Sequence, residues 1–278
     1  MLQAGRAYQQ ALLLYSQDQF EPAADLLRQV VRKQPRSVTA RFLFGATLLR
    51  LHRNAEAIRE LETANRLNPR HGEAAKLLAA EYLAAKRSAE AIRVLRPLVT
   101  VAGADQETFL LLIQAHQNRG EADDLEAALH LADQALARFP HSAPVLASKA
   151  SVARHNGRVE EARQLLEQSL GLDSSYLPAR ALLAEVLELE GKPDQAVTLF
   201  RAVLEQDPDD VESRLGLSRA LASGGQLEAA LGELNHARDL APDNPRIRFR
   251  LAQLYWRLGN PQKARQEEEA FRRLKRTP

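Results

Sequence analysis

Cysteine is absent from this 278-residue chain, so disulfides, thiolate metal sites and cysteine nucleophiles are excluded. Methionine and tryptophan occur once each, as Met1 and Trp256, and aromatic residues make up 5% of a chain that is 45% hydrophobic. A core built from such material consists mostly of Leu, Ala and Val, the composition of stacked helices. Net charge is only +2, and the bulk numbers carry no signature of a polyanion-binding surface. Long apolar runs are missing too: none approaches the roughly 20 residues that span a bilayer. The N-terminal stretch MLQAGRAYQQALLLYSQ lacks a basic region followed by a long apolar core and a small-residue cleavage site. The chain is therefore expected to be soluble, and cytoplasmic, or periplasmic if a leader has been removed. Lysine is scarce beside arginine, as in GC-rich bacterial coding sequences.

Signatures of chemistry are equally scarce. No HExxH, glycine-rich phosphate loop, GxSxG elbow or EF-hand spacing occurs. His52, His71, His116, His130, His141, His155 and His236 include no pair at helical spacing. We expect no catalytic residue, no metal site and no cofactor. His116 reads as a partly buried structural histidine, and the pairs Asp123-Asp124 and Asp209-Asp210 as N-terminal caps of the helices that follow.

Repetition dominates what is present. The stretch 177–210, LPARALLAEVLELEGKPDQAVTLFRAVLEQDPDD, reads as two amphipathic helices separated by Gly191 and closed by Pro208. Equivalent stops fall at Pro35, Pro69, Gly103, Pro140, Ser174, Pro208 and Pro242, 34 residues apart except that Pro140 follows Gly103 by 37. An alanine precedes each stop by twelve residues: Ala23, Ala57, Ala91, Ala128, Ala162, Ala196 and Ala230, with Ala264 in the last unit. A methyl group there lets two helices cross closely, where a larger side chain would cost roughly 1–3 kcal/mol in overpacking. The facing position on the first helix is also small, as Ala11, Gly45, Ala79, Ala150, Ala184, Ser218 and Ala252, with Ile113 the exception. Phe44, Leu78, Leu112, Leu183, Leu217 and Leu251 on first helices, and Leu27, Leu61, Leu95, Leu166, Phe200 and Leu234 on second helices, supply the interfaces between units.

This combination resembles the tetratricopeptide repeat family, carried for example by Leu183, Ala184, Leu187, Gly191, Ala196, Phe200, Val203 and Pro208, and by Phe44, Gly45, Leu48, Ala57, Leu61, Ala64 and Pro69. The resemblance covers eight units: 4–37, 38–71, 72–105, 106–142, 143–176, 177–210, 211–244 and 245–278. It implies an all-α fold, a right-handed α-solenoid superhelix of stacked antiparallel helix pairs. The nearest rival, a pentatricopeptide array, would need a recurring polar base-reading code, which is missing. In the fourth unit the second helix is expected to begin late, after GEADDLEAA, with three residues inserted between the helices. In the last unit Glu268 takes a position that is apolar in most units, which marks a polar cap. The basic end FRRLKRTP reads as a solvated helix terminus favoured by the helix dipole.

The family's inner face is lined mainly by first helices, and by resemblance it holds the second, fifth, ninth and twelfth residue of each unit. That selects Tyr8, Leu12 and Tyr15, then Phe42 and Leu49, then Lys76 and Leu83, an apolar and partly aromatic surface in which Lys76 stands alone as a cation. Glu107, Gln114, Gln117, Ser151, Arg154, Glu185, Glu188, Glu212 and Arg219 make the middle polar, and Arg246, Phe249 and Trp256 return to aromatics at the far end. Two readings of Tyr8, Tyr15 and Phe42 stay open: mutual packing or self-association through the apolar N-terminal helix, and a groove for a peptide or helix of another protein. The Lys and Asn clamp of chaperone adaptors has no counterpart. The function implied is a non-catalytic adaptor in a protein assembly, such as a bacterial envelope or secretion system, with no nucleic acid and no membrane span. The alternative is a regulatory or targeting region of a larger enzyme such as a glycosyltransferase.

Overall fold

A computed structural model describes residues 2–100 and 103–276, and among these every regular element is an α-helix. Two compact units divide the chain at residue 140. The first comprises α1 (Leu2–Ser16), α2 (Phe20–Lys33), α3 (Val38–Arg50), α4 (Asn54–Leu67), α5 (Gly72–Ala84), α6 (Ser88–Val99), α7 (Gln106–Arg119) and α8 (Asp124–Arg138). The second comprises α9 (Ala143–His155), α10 (Val159–Leu172), α11 (Leu177–Leu189), α12 (Pro193–Leu204), α13 (Val211–Ser223), α14 (Leu227–Leu240), α15 (Pro245–Arg257) and α16 (Pro261–Arg276). Within each unit every helix packs on its neighbours in sequence, and α1 with α3, α3 with α5, α5 with α7, α9 with α11 and α11 with α13 also meet. This is a solenoid of helix pairs. No helix among the described residues is long and apolar enough to cross a membrane.

The expected crossing points are where the helices meet. All eight repeat alanines, from Ala23 to Ala264, have no exposed surface. A Cβ added to Gly45 would lie 2.6 Å from Leu61 Cγ, so that first helix has no room for even a methyl group. Between the helices of a pair the chain reverses through a left-handed residue at one repeated register: Asp18, His52, Lys86, Gly120, Gly157, Gly191, Gly225 and Gly259 all have φ between 57° and 80°. First helices open on side-chain caps, with Ser37, Asp105, Ser142, Asp210 and Asn244 accepting from backbone amides one turn in, and His71 doing so through Nδ1.

The fourth pair departs from the expected layout. Its second helix begins at Asp124, within the stretch GEADDLEAA and not after it. The three extra residues are shared out: relative to α3 and α4, α7 is one residue longer, the turn 120–123 is one longer, and α8 is one longer. Asp124 holds this longer turn together. Its carboxylate accepts from Arg119 Nε at 2.8 Å, Arg119 Nη2 at 2.6 Å and the Glu121 amide at 2.8 Å, and lies 2.6 Å from His116 Nδ1. Arg119 above all, with His116 helping against the upward push of burial, holds its pKa well below the usual carboxylate range. Asp123, the residue before α8, makes no side-chain cap, whereas Asp210 caps α13 as expected.

A second device joins helices within a pair. Arg41, Arg214 and Arg248 occupy the fourth position of their units and bind Glu60, Glu233 and Glu267 on the following helix. Each also donates to the carbonyl of the preceding stop, Pro35, Pro208 or Pro242. Three other units fill the same two positions with the buried apolar pairs Ala75 and Val94, Phe109 and Leu131, and Leu146 and Leu165.

Candidate functional site

The first-helix residues singled out from the sequence divide according to how far the fold uses them internally. Tyr8, Tyr15 and Leu49 are half-buried and lean on the core formed by Ala11, Leu27, Phe44 and Leu48. Tyr15 stands edge-on to Phe20 with ring centres 5.5 Å apart, and Phe42 lies 5.3 Å from the His71 ring. Leu83 is also half-buried, while Leu12 is exposed beside Leu13.

Lys76 does not stand alone. It is 7% exposed, and its ammonium lies 2.7 Å from Asp105, 2.7 Å from Glu107 and 2.8 Å from Glu73. Burial by itself would lower its basicity, but the three carboxylates outweigh that and raise it. On Asp105 the push upward from burial is likewise outweighed by Lys76 and by the Thr108 hydroxyl and amide, which hold its pKa at about 2. This lysine is a structural cation binding α5 to the start of α7, already neutralised by its neighbours.

In the second unit the polar face is crossed by ion pairs between successive first helices. Arg154 reaches Glu185 at 3.5 Å, Arg219 reaches Glu188 at 2.6 Å, and Arg246 reaches Glu212 at 2.7 Å. Each of these arginines thus has a glutamate close by. Aromatic surface stands open on α15, where Phe249 is 48% and Trp256 45% exposed. Phe249 lies 5.6 Å from the Phe271 ring of α16. Trp256 donates its indole N–H to Glu268 of α16 at 2.9 Å.

Between α13 and α15 lies an open pocket of about 500 Å3, lined by Ser218, Arg219, Arg250, Gln253, Trp256 and Arg257 among others. Arg257 donates to the Ala222 carbonyl at 3.0 Å. Arg250 is half-buried and has no acceptor among the described residues. Burial first, and then the positive charges of Arg219 and Arg246, lower its basicity, against a weaker pull the other way from Glu188 and Glu212. Sequence reasoning passed over Arg250, although the signal was there: the equivalent residue is Leu43, Leu77, Leu111 and Leu182 in four other units.

Among the described residues sixteen helices stacked in pairs define a helical-repeat protein. Models of the tetratricopeptide repeat match residues 117–176, 187–243 and 225–267, and a model of the anaphase-promoting complex, cyclosome, subunit 3 matches residues 3–64. The chain belongs to the tetratricopeptide repeat family. None of the curated protein sequences compared matches it. Among solved structures, a tetratricopeptide repeat protein from Parabacteroides merdae is 14% identical, with 91% of this chain and 99% of that one covered and a TM-score of 0.78. A thermophilic tetratricopeptide protein from Thermus thermophilus is 26% identical over 67% of this chain and 100% of its own, with a TM-score of 0.57. The Cut9–Hcn1 hetero-tetramer of the APC/C gives 15% identity, a TM-score of 0.69 and coverage of 88% of this chain against 48% of that chain. The likenesses at 14% and 15% speak for the fold alone. Arrays of this family generally mediate protein–protein interaction, and typically serve as non-catalytic scaffolds.

Proposed function

We propose that the array is an adaptor that holds a peptide or helix of another protein along its first helices, with the principal contact on α13 and α15. The observation that carries this reading is the pair Phe249 and Trp256 on α15, both about half exposed, with Trp256 in the lining of a pocket that can receive a side chain. Large apolar groups in that state contribute little to the fold and much to an interface that covers them. On the first unit, Tyr8, Leu12, Tyr15, Phe42, Leu49 and Leu83 offer a second surface of its own, where Leu12 is the most open of the six. Lys76 contributes to this face through its surrounding carboxylates, and Arg246 through its pair with Glu212.

Affinity capture from the source cell tests the reading, comparing the wild type with a Phe249→Asp, Trp256→Ala variant and with a Tyr8→Asp, Phe42→Asp, Leu49→Asp variant. A protein retained by the wild type and lost by the first variant, while helicity is preserved, is the expected result. Equal retention by that folded variant would move the site away from α15, and loss only with the second would place it at the N-terminal end.

A further inference from the structure

Arginine on the first helices of the second unit is otherwise balanced. Arg154, Arg219 and Arg246 each have a glutamate partner, and Arg257 has a carbonyl. The pocket between α13 and α15 nevertheless gathers three guanidinium groups, Arg219, Arg250 and Arg257, with no carboxylate in its lining. Glu188 accounts for one of the three. Arg250 replaces the leucine of four other units at a stacking position, where a half-buried cation without an acceptor is costly. An anion entering the pocket would remove that cost. Accordingly, resting on the adaptor reading above, we infer that this pocket is a subsite for an aspartate or glutamate side chain of an acidic, partly apolar segment in the partner protein, bound by Arg250 and Arg257 with Trp256 alongside.

The chemistry favours a carboxylate on a peptide over a phosphate backbone. A guanidinium fork matches a carboxylate in a bidentate pair. A nucleic acid would call for a continuous row of free cations, whereas the arginines leading up to this pocket on α9 and α13 are already paired with glutamates. Exposed Trp256 in the pocket's lining, Phe249 elsewhere on α15 and Leu189 on α11 suit a segment that alternates acidic and apolar residues.

Fluorescence anisotropy on the full chain tests this with a labelled peptide of Glu, Leu and Gly, acetylated and amidated so that only side chains are anionic, and with its twin carrying Gln for Glu. The Glu peptide is expected to bind about ten-fold tighter than its twin, the scale of one charge-assisted contact. Arg250→Gln and Arg257→Gln should each erase most of that preference. Trp256→Ala should weaken both peptides. Equal binding of the two peptides by the wild type overturns the subsite without using any variant. An unchanged preference in folded Arg257→Gln and Arg250→Gln also overturns it. Arg250-dependent binding of oligo-dT more tightly than the Glu peptide would reassign the pocket to phosphate. In each of these cases the adaptor reading stands if capture still depends on Phe249 and Trp256; loss of that dependence, with the peptide preference intact, would instead move the adaptor's principal contact away from α15 and leave the subsite standing.

Discussion

A Cβ built on Gly216 would lie 2.3 Å from Cζ of Phe200, so the ring of one helix pair occupies the space of a side chain on the next. Elsewhere in the array these two registers hold leucine together, as Leu27 with Leu43, Leu61 with Leu77, Leu95 with Leu111 and Leu166 with Leu182. The large Phe200 and the missing side chain at Gly216 are therefore one compensated exchange. Gly216→Ala should destabilise the second unit by about 1–3 kcal/mol through overpacking. The double variant Phe200→Leu, Gly216→Leu should recover most of that loss in urea denaturation. A double variant as unstable as Phe200→Leu and Gly216→Leu added together would show the two sites to be independent.

The Lys76 cluster makes stability depend on pH at both extremes. Asp105 has a folded pKa of about 2, against about 3.9 when unfolded. Its contribution is fully present above about pH 4 and is lost as pH falls through about 2. Lys76 is shifted upward, so its contribution is present below its unfolded value of about 10.4 and is lost only at higher pH. Asp105→Asn should be less stable than the wild type at neutral pH and lose less between pH 4 and 2. Urea midpoints measured across that range check the slope; parallel curves would remove Asp105 from the linkage.

The frame of the array was legible because it is written in steric requirements that recur. A methyl at Ala57 or Ala196, a helix stop at Pro69 or Pro208 and a left-handed turn at Gly191 each admit few residue types. The face was less legible, because exposure depends on what lies across from a side chain. Tyr15 is partly covered by Phe20, five residues on, and Lys76 finds Asp105 across 29 residues. Arg219 likewise finds Glu188 across 31. Spacing alone does not reveal such cross-unit pairs. Arg250 was accessible by alignment of the units, as the charged residue in a leucine register, and so was the alternation of Arg–Glu with apolar pairs.

Three of the eight left-handed turns lack glycine. His52 and Lys86 adopt φ of 57° and 58°, a conformation that costs a residue with a Cβ roughly 1–2 kcal/mol. Glycine relieves that strain and loses part of the gain to its greater freedom in the unfolded chain. Lys86→Gly and His52→Gly should each stabilise the first unit by about 0.5–1 kcal/mol. The converse change, Gly191→Ala, should destabilise the second unit by about 1 kcal/mol, since nothing but the dihedral opposes it there. Thermal unfolding followed by circular dichroism distinguishes the signs, and destabilisation by Lys86→Gly would show that the lysine side chain does more than occupy the turn.

The bond from Arg214 to Glu233, at 2.8 Å, poses a sharper question, because the array contains its own alternative. Arg214 is 7% exposed and also donates to the Pro208 carbonyl at 2.6 Å. Removing it as Arg214→Leu leaves Glu233 without its cation and should cost about 3 kcal/mol, the lower end for breaking a buried pair, because Glu233 keeps some access to water. Adding Glu233→Leu reproduces the pairing of Leu146 with Leu165, which the fold already packs without charge. An ion pair exchanged for a well-packed apolar pair is often neutral, so the double variant should regain most of the loss. A double variant no more stable than Arg214→Leu would locate the contribution in the bond to the Pro208 carbonyl, which the leucine pair has no means to replace.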